Sequence, residues 1–232
     1  MPSDPAPAAR ADETSPLRVW DLPTRLFHWA LAAVVIGLVA TGLGGVMAWH
    51  FRLGYTALAL LLFRIVWGFV GGHWSRFANF VYAPGTVLAY LRGRGRPEHG
   101  IGHNPLGALS VFALLAILAL QVWSGLSSDD AITFTGPLAR FVSGDVVDWA
   151  SGWHKSQGKW LVIGLAALHV LAVLFYLLVR RNNLVAPMVT GDKPLAAVAS
   201  SPSRDDGASR TAALVLFAAC AAFSAWVASL EG

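Results

Sequence analysis

Residues 26–75 read LFHWALAAVVIGLVATGLGGVMAWHFRLGYTALALLLFRIVWGFVGGHWS, fifty residues with only two charges, Arg52 and Arg64. Residues 26–51 are uncharged, and residues 53–75 are interrupted only by Arg64. A helix needs about 20 mostly apolar residues to cross a bilayer core, so this stretch predicts two membrane spans. Three more follow. One lies in the uncharged residues 99–128, with its apolar part at 106–124; the others are residues 160–179 and 211–230. Backbone polar groups in lipid must pair internally, which makes the spans helices. The short alternating segments of a membrane barrel are not the pattern here.

Composition agrees. Of 232 residues, 56% are hydrophobic and 13% charged, about half the roughly 25% of an ordinary soluble domain. Disorder is excluded for most of the chain. The exception is residues 1–16, which hold Pro2, Pro5, Pro7 and Pro16 without apolar periodicity and are expected to be disordered. The first span is too long for a signal-peptide core and reads as retained. Cys220 is the single cysteine, so no intramolecular disulfide, Cys-x-x-Cys-His haem attachment or cysteine-rich metal site is available. Any metal or haem falls to the seven histidines.

Lysine and arginine set the orientation. With the N-terminus inside, inner segments carry twelve, among them Arg18, Arg25, Arg76, Arg92, Arg180 and Lys193; outer segments carry four, Arg52, Arg140, Lys155 and Lys159. The bias puts the N-terminus in and the C-terminus out. It also explains the pI of 9.6 by inner loops beside anionic lipid, with no nucleic-acid partner or motif needed. The outer loop, residues 126–156, is acidic, with Asp129, Asp130, Asp145 and Asp148. It reads either as a solvated loop or as a docking face that steers a soluble partner.

Ionisable side chains within spans point to function. Depth sorts four histidines into two pairs: His28 and His169 near the inner ends, His50 and His154 near the outer ends. Read as one helix, fifteen residues separate His154 from His169 by roughly 60° of face and about 22 Å of rise. That separation suits two stacked redox centres and excludes one shared ion. Gly54 and Gly158 each follow an outer histidine at i+4, on the same helical face, where a flat macrocycle could lie against the backbone. Two such pairs point to bis-histidine haem in a helix bundle. The plainer reading is interfacial anchoring, since His28 adjoins Trp29 and His50 adjoins Trp49. Arg64 is fourteen residues after His50 and about 21 Å deeper, near the inner pair. It either binds a haem propionate or snorkels to headgroups. Arg25, one turn before His28, is a weaker propionate candidate that would otherwise meet lipid phosphate. His103, before Asn104-Pro105, reads as a supporting or capping residue, and His73 and His99 as solvated surface.

The run Arg18-Val19-Trp20-Asp21-Leu22-Pro23-Thr24-Arg25-Leu26-Phe27-His28-Trp29 resembles the opening of bacterial cytochrome b561 proteins, which include the b-type subunits of membrane-bound nickel–iron hydrogenases. His50, Gly54, Arg64 and Trp67-Gly68-Phe69-Val70-Gly71, then Gly102-His103-Asn104-Pro105-Leu106-Gly107, then His154, Gly158 and His169 continue the resemblance over about 17–182. It implies an all-α integral membrane four-helix bundle holding two b-type haems. His28 and His169 would ligate the inner one and His50 and His154 the outer. It further implies electron transfer between the quinone pool and a partner such as a periplasmic c-type cytochrome, in the bacterial inner membrane.

The domain reading is therefore a tail at 1–16, a di-haem domain at 17–182, a polar linker at 183–210 and an additional C-terminal transmembrane helix at 211–232. That last helix, rich in small residues, reads as peripheral, oligomer-forming or a simple anchor. The link between the first two spans, about 47–53, is shorter than in the hydrogenase subunits, which counts against a hydrogenase partner. Two other function classes remain: an anchor subunit of a larger oxidoreductase, and a proton-coupled transporter.

Overall fold

A computed structural model describes residues 15–195 and 201–230. Five helices of 22 residues or more are long and apolar enough to span a membrane. These are α1 (Leu22–Gly44), α2 (Met47–Val70), α4 (Pro105–Leu126), α6 (Gln157–Leu178) and α8 (Gly207–Ala228). Three shorter helices lie between them: α3 (Pro84–Leu91), α5 (Gly144–Lys155) and α7 (Val185–Thr190). The residues that face outward along the spans are apolar: Ile36, Leu168, Leu171, Leu178, Leu214 and Val215 are all exposed. A water-soluble protein does not display such a belt, and the chain is a multi-pass membrane protein.

The helix starts follow sequence chemistry. The Asp21 carboxylate accepts from the Thr24 N–H at 2.8 Å and Pro23 occupies the first turn of α1. Asn104 Oδ1 accepts from the Gly107 N–H at 2.7 Å, with Pro105 opening α4. Asp206 caps α8 through the Ser209 N–H. Each cap satisfies a backbone donor that would otherwise be orphaned. α1 stops at Gly45, whose φ of 70° is left-handed. Only Gly45 and Val46 link α1 to α2, a tighter connection than the 47–53 expected from sequence.

α2 lies centrally and packs against α1, α4 and α8, while α4 also packs against α5 and α6. Phe27, Val34, Ala57, Leu60, Phe63 and Trp67 form one core cluster with Ala213 and Cys220 of α8. The last helix is thus docked on the bundle, and the Ser224 hydroxyl donates to the Tyr55 carbonyl at 2.7 Å. A free-standing anchor is not what this helix is. It also begins at Gly207, four residues before the apolar run.

The mostly helical chain agrees with the all-α reading and adds one short ribbon, in which β1 (Ser15–Arg18) pairs antiparallel with β2 (Asp192–Leu195). Ser15 and Pro16 therefore belong to a strand; residues 1–14 of the expected tail lie outside the described residues. The segment 183–210 is more than a linker, since it carries α7 and β2 and straps the base of the bundle. Ser203 donates to the Val19 carbonyl and Asp205 receives Arg18, Arg210 and the Leu22 N–H. Finally, the helix carrying His154 is not continuous with that carrying His169. The backbone breaks at Ser156 (φ −120°, ψ −93°), so the 60° estimate, which assumed one helix, does not apply.

Candidate functional site

The bundle brings together the four histidines of the spans as two couples. His50 stands in the first turn of α2 and His154 in the last turn of α5, with ring centroids 6.0 Å apart and planes at 80°. His28, in α1, and His169, in α6, have centroids 6.3 Å apart at 57°. An iron between two imidazoles puts two bonds of about 2 Å and two ring half-widths of about 1 Å between the centroids, roughly 6 Å in all. Both couples have that spacing. Among the described residues no three His, Cys, Asp or Glu side chains cluster as a metal cage. Two protein ligands per site are what a porphyrin requires, since it brings four nitrogens of its own.

The outer couple is held by the helices facing it. His50 Nδ1 lies 3.1 Å from the Leu38 carbonyl oxygen and His154 Nδ1 lies 2.9 Å from that of Gln121. A carbonyl only accepts, so each Nδ1 carries the proton and each Nε2 keeps its lone pair for a metal. Close approach is made possible by two glycines. A Cβ at Gly42 would stand 3.0 Å from His50 Cε1, and one at Gly125 would stand 2.7 Å from His154 Cε1. Around the couple is a cavity of about 400 Å³, walled by Leu31, Val35, Leu38, Leu61, Leu118 and Val162. That volume lies within the range of cofactor pockets.

Gly54 lines this cavity, and a Cβ there would meet nothing within 4 Å. Gly158 does not line it. A side chain there would run into Gln121 and Trp153, so its small size serves helix packing rather than a macrocycle face. The glycines against the imidazoles are Gly42 and Gly125, which the i+4 rule could not find because each lies on a different helix from its histidine.

A loop roofs the cavity. Asp130 accepts from the N–H groups of Ile132, Thr133 and Phe134, and Phe134 meets Phe51 edge-on at 5.2 Å. Those three bonds hold the Asp130 carboxyl down to about 2. Asp129 accepts from the Ala131 N–H. Of the four acids read as one patch, two therefore build the loop, and only Asp145 and Asp148 stand exposed, on α5.

The inner couple is furnished differently. Buried and without a hydrogen-bond partner among the described residues are His28 Nδ1, His103 Nδ1 and Arg64 Nη1. Arg64 is 3% exposed, over the Phe77 ring at 4.6 Å, which excludes snorkelling to headgroups. The buried Asp21 carboxylate attracts this guanidinium from nearby, yet Nη1 makes no hydrogen bond among the described residues and suits a carboxylate brought by a ligand. His103 is not a cap, since Asn104 fills that role; it lies between Trp20 and Phe80, at 4.7 and 4.3 Å. Burial, reinforced by nearby Arg64, pushes it down to about 3 and keeps it neutral.

Arg25 donates to the Val189 carbonyl rather than meeting lipid phosphate. His99 is buried, 8% exposed, and accepts from the Arg96 N–H, which corrects its reading as surface. The residue that sequence reasoning missed is Asp21. Fully buried, it accepts from Trp67, Gly72, Ser75 and Thr24 and ties the start of α1 to the end of α2. Its place in the Trp20-Asp21-Leu22-Pro23 run carried no reading of that role.

The model of the family described as prokaryotic cytochrome b561 matches residues 19–191. The chain belongs to that family. This cytochrome is accordingly a membrane b-type cytochrome that binds b-type haem and serves electron transport, and the two histidine couples fit the group. Similar curated proteins include the Probable Ni/Fe-hydrogenase B-type cytochrome subunits of Azotobacter chroococcum mcd 1 and Azotobacter vinelandii. They are 28% and 26% identical to this cytochrome, over 75% of this chain and 86% of each relative. The Probable Ni/Fe-hydrogenase 1 B-type cytochrome subunit of Escherichia coli K12 is 24% identical, over 75% of this chain and 88% of its own. No solved structure matches the cytochrome.

Proposed function

We propose that this cytochrome is a two-haem electron relay across the bacterial inner membrane. It exchanges electrons with quinone or quinol in the bilayer and with a periplasmic redox protein such as a c-type cytochrome. The observation that carries this reading is the pair of facing histidine couples, at 6.0 and 6.3 Å, toward opposite ends of one bundle. Haem iron, when bound, supplies reversible one-electron chemistry. The chain's part is placement. His50 with His154, and His28 with His169, would each hold one haem, and the iron so held would serve electron transfer rather than oxygen binding. The apolar walls keep water out, and the Leu38 and Gln121 carbonyls fix the outer imidazoles in the ligating tautomer.

The Lys/Arg bias supports a cytoplasmic N-terminus and a periplasmic C-terminus. His28 and His169 then face the cytoplasmic side, and Arg64 binds a propionate of that haem. Asp145 and Asp148, exposed on α5, give the periplasmic side an acidic surface for a basic partner.

A second reading draws on the names of the relatives. There the chain is the cytochrome subunit of a larger, hydrogenase-like oxidoreductase and relays the electrons of a catalytic partner. Purification from native membranes separates the two, since a stoichiometric large redox subunit favours the second.

A pyridine haemochrome assay with protein quantitation tests both. Two protohaems per chain are expected. His50→Ala or His154→Ala should remove one and leave the other reducible. A single haem at full occupancy, or equal loss of both in a folded variant, overturns the two-site reading. A colourless protein would restore the transporter alternative.

A further inference from the structure

The cavity around His50 and His154 has three charged residues in its lining: Asp130, Lys155 and Lys159. Lys155 follows His154 directly, and Lys159 lies one turn further, at the start of α6. Both stand at the outer rim. The walls toward the bilayer centre are Leu31, Val35, Leu61, Leu118 and Val162.

Neither lysine has an ion pair among the described residues; the pairs found there all lie at the opposite end, on Arg18, Arg25, Arg204 and Arg210. Asp130 is the one acid among the residues lining the cavity; its carboxylate accepts from three backbone N–H groups and attracts Lys155 across the rim without forming an ion pair with it. Lys159 rests over the Trp160 ring at 5.2 Å, which leaves its ammonium without an anion. Two cations thus border an apolar cavity against a single lining carboxylate, which leaves the rim net positive.

A non-covalent haem brings two carboxylates on one edge. Burying them against aliphatic walls without a cation would cost several kcal/mol each. Among the residues lining this cavity, the lysine rim is the one place that neutralises both. Resting on the proposal that His50 and His154 ligate a haem, the geometry points to a second assignment: Lys155 and Lys159 hold the two propionates of that outer haem, fixing its carboxylate edge toward the outer aqueous face. The lysines and the histidines together would then hold the haem. Its propionate edge is also the edge that a soluble partner approaches.

The test uses the full-length haem-loaded protein with Lys155→Gln, Lys159→Gln, the double variant and Lys159→Arg. Redox titration of the α-band resolves the two haems, and pyridine haemochrome counts them. A nearby cation stabilises the reduced haem, which carries one positive charge fewer. Each glutamine variant should therefore shift the reduced-to-oxidised ratio of the outer haem, at the wild-type midpoint, at least threefold toward oxidised. The inner haem should titrate as before, and Lys159→Arg should restore the outer value. The double variant should leave at least half of the chains without the outer haem.

Unmoved outer titration with full occupancy in both single variants, or equal shifts in both haems, overturns the assignment. His50→Ala identifies the outer component. If that variant removes no haem, the outer site itself is wrong and the lysine assignment falls with it. If it removes one while the lysine variants change nothing, the lysine assignment alone fails.

Discussion

The Gly125 backbone lies directly against the His154 imidazole, so close that a Cβ there would stand 2.7 Å from Cε1. The ring is caught between this contact and the bond from its Nδ1 to the Gln121 carbonyl, one turn earlier on α4. Gly125→Ala should push the ring off that carbonyl. We expect loss of one haem per chain by pyridine haemochrome and a stability penalty of about 1–3 kcal/mol from overpacking. Gly158→Ala, behind Trp153 and Gln121, should disturb helix packing yet leave the haem count intact. Equal haem loss in the two variants would contradict the distinction drawn between these glycines.

Arg64→Leu removes a buried guanidinium whose Nη1 has no partner among the described residues, beside the His28–His169 end. The inner haem should then titrate at a lower potential while the outer is unchanged. Lysine at this position should restore the charge but not bidentate binding, giving an intermediate value. A redox titration in which the outer haem moves more would reject the assignment.

Asp130 governs the roof of the outer cavity. Its carboxyl, held down to about 2 by three N–H groups, stabilises the loop only when ionised. That contribution is complete above the ordinary carboxylate range near 4. It is lost as pH falls from there through about 2. Limited proteolysis at residues 129–137 should therefore be flat from pH 7 to 5. Asp130→Ala should be cut faster throughout that range and release the outer haem sooner to apomyoglobin. Unchanged release would mean that the roof does not gate the cavity.

The clasp at the other end is centred on Asp205, whose side chain is 6% exposed. Burial alone would raise its carboxyl; the bonds from Arg210 and the Leu22 N–H and the charge of Arg18 outweigh it and hold it below the usual range. Asp205→Ala should cost about 1–3 kcal/mol, read as a lower Tm in detergent. Haem content should be unchanged, because this network lies outside both histidine couples.

Much of this was legible because membrane physics writes itself into composition. Uncharged runs located the five spans, and Asn104-Pro105 announced the start of α4. Sorting histidines by depth paired His50 with His154 and His28 with His169, the residues that the fold brings face to face. What escaped was set by contacts between distant residues. Nothing near Gly42 or Gly125 says that an imidazole from another helix presses on it. Asp21 gave no sign of its role, since three of its donors come from 46 to 54 residues away. His99 looked solvated beside basic neighbours, yet Tyr82 and Tyr90 cover it. The β1–β2 pairing joins segments too short and too polar to signal strands alone.

The break at Ser156 has a consequence for how such a protein can diverge. Because His154 precedes the discontinuity and His169 follows it, the orientation of one imidazole is not dictated by the pitch of the other's helix. A residue inserted into the apolar run after Ser156 would rotate His169 out of place while His154, moored to α4, stayed where it was. The two histidine couples can in this way drift separately, each changing its geometry without dragging its neighbour along.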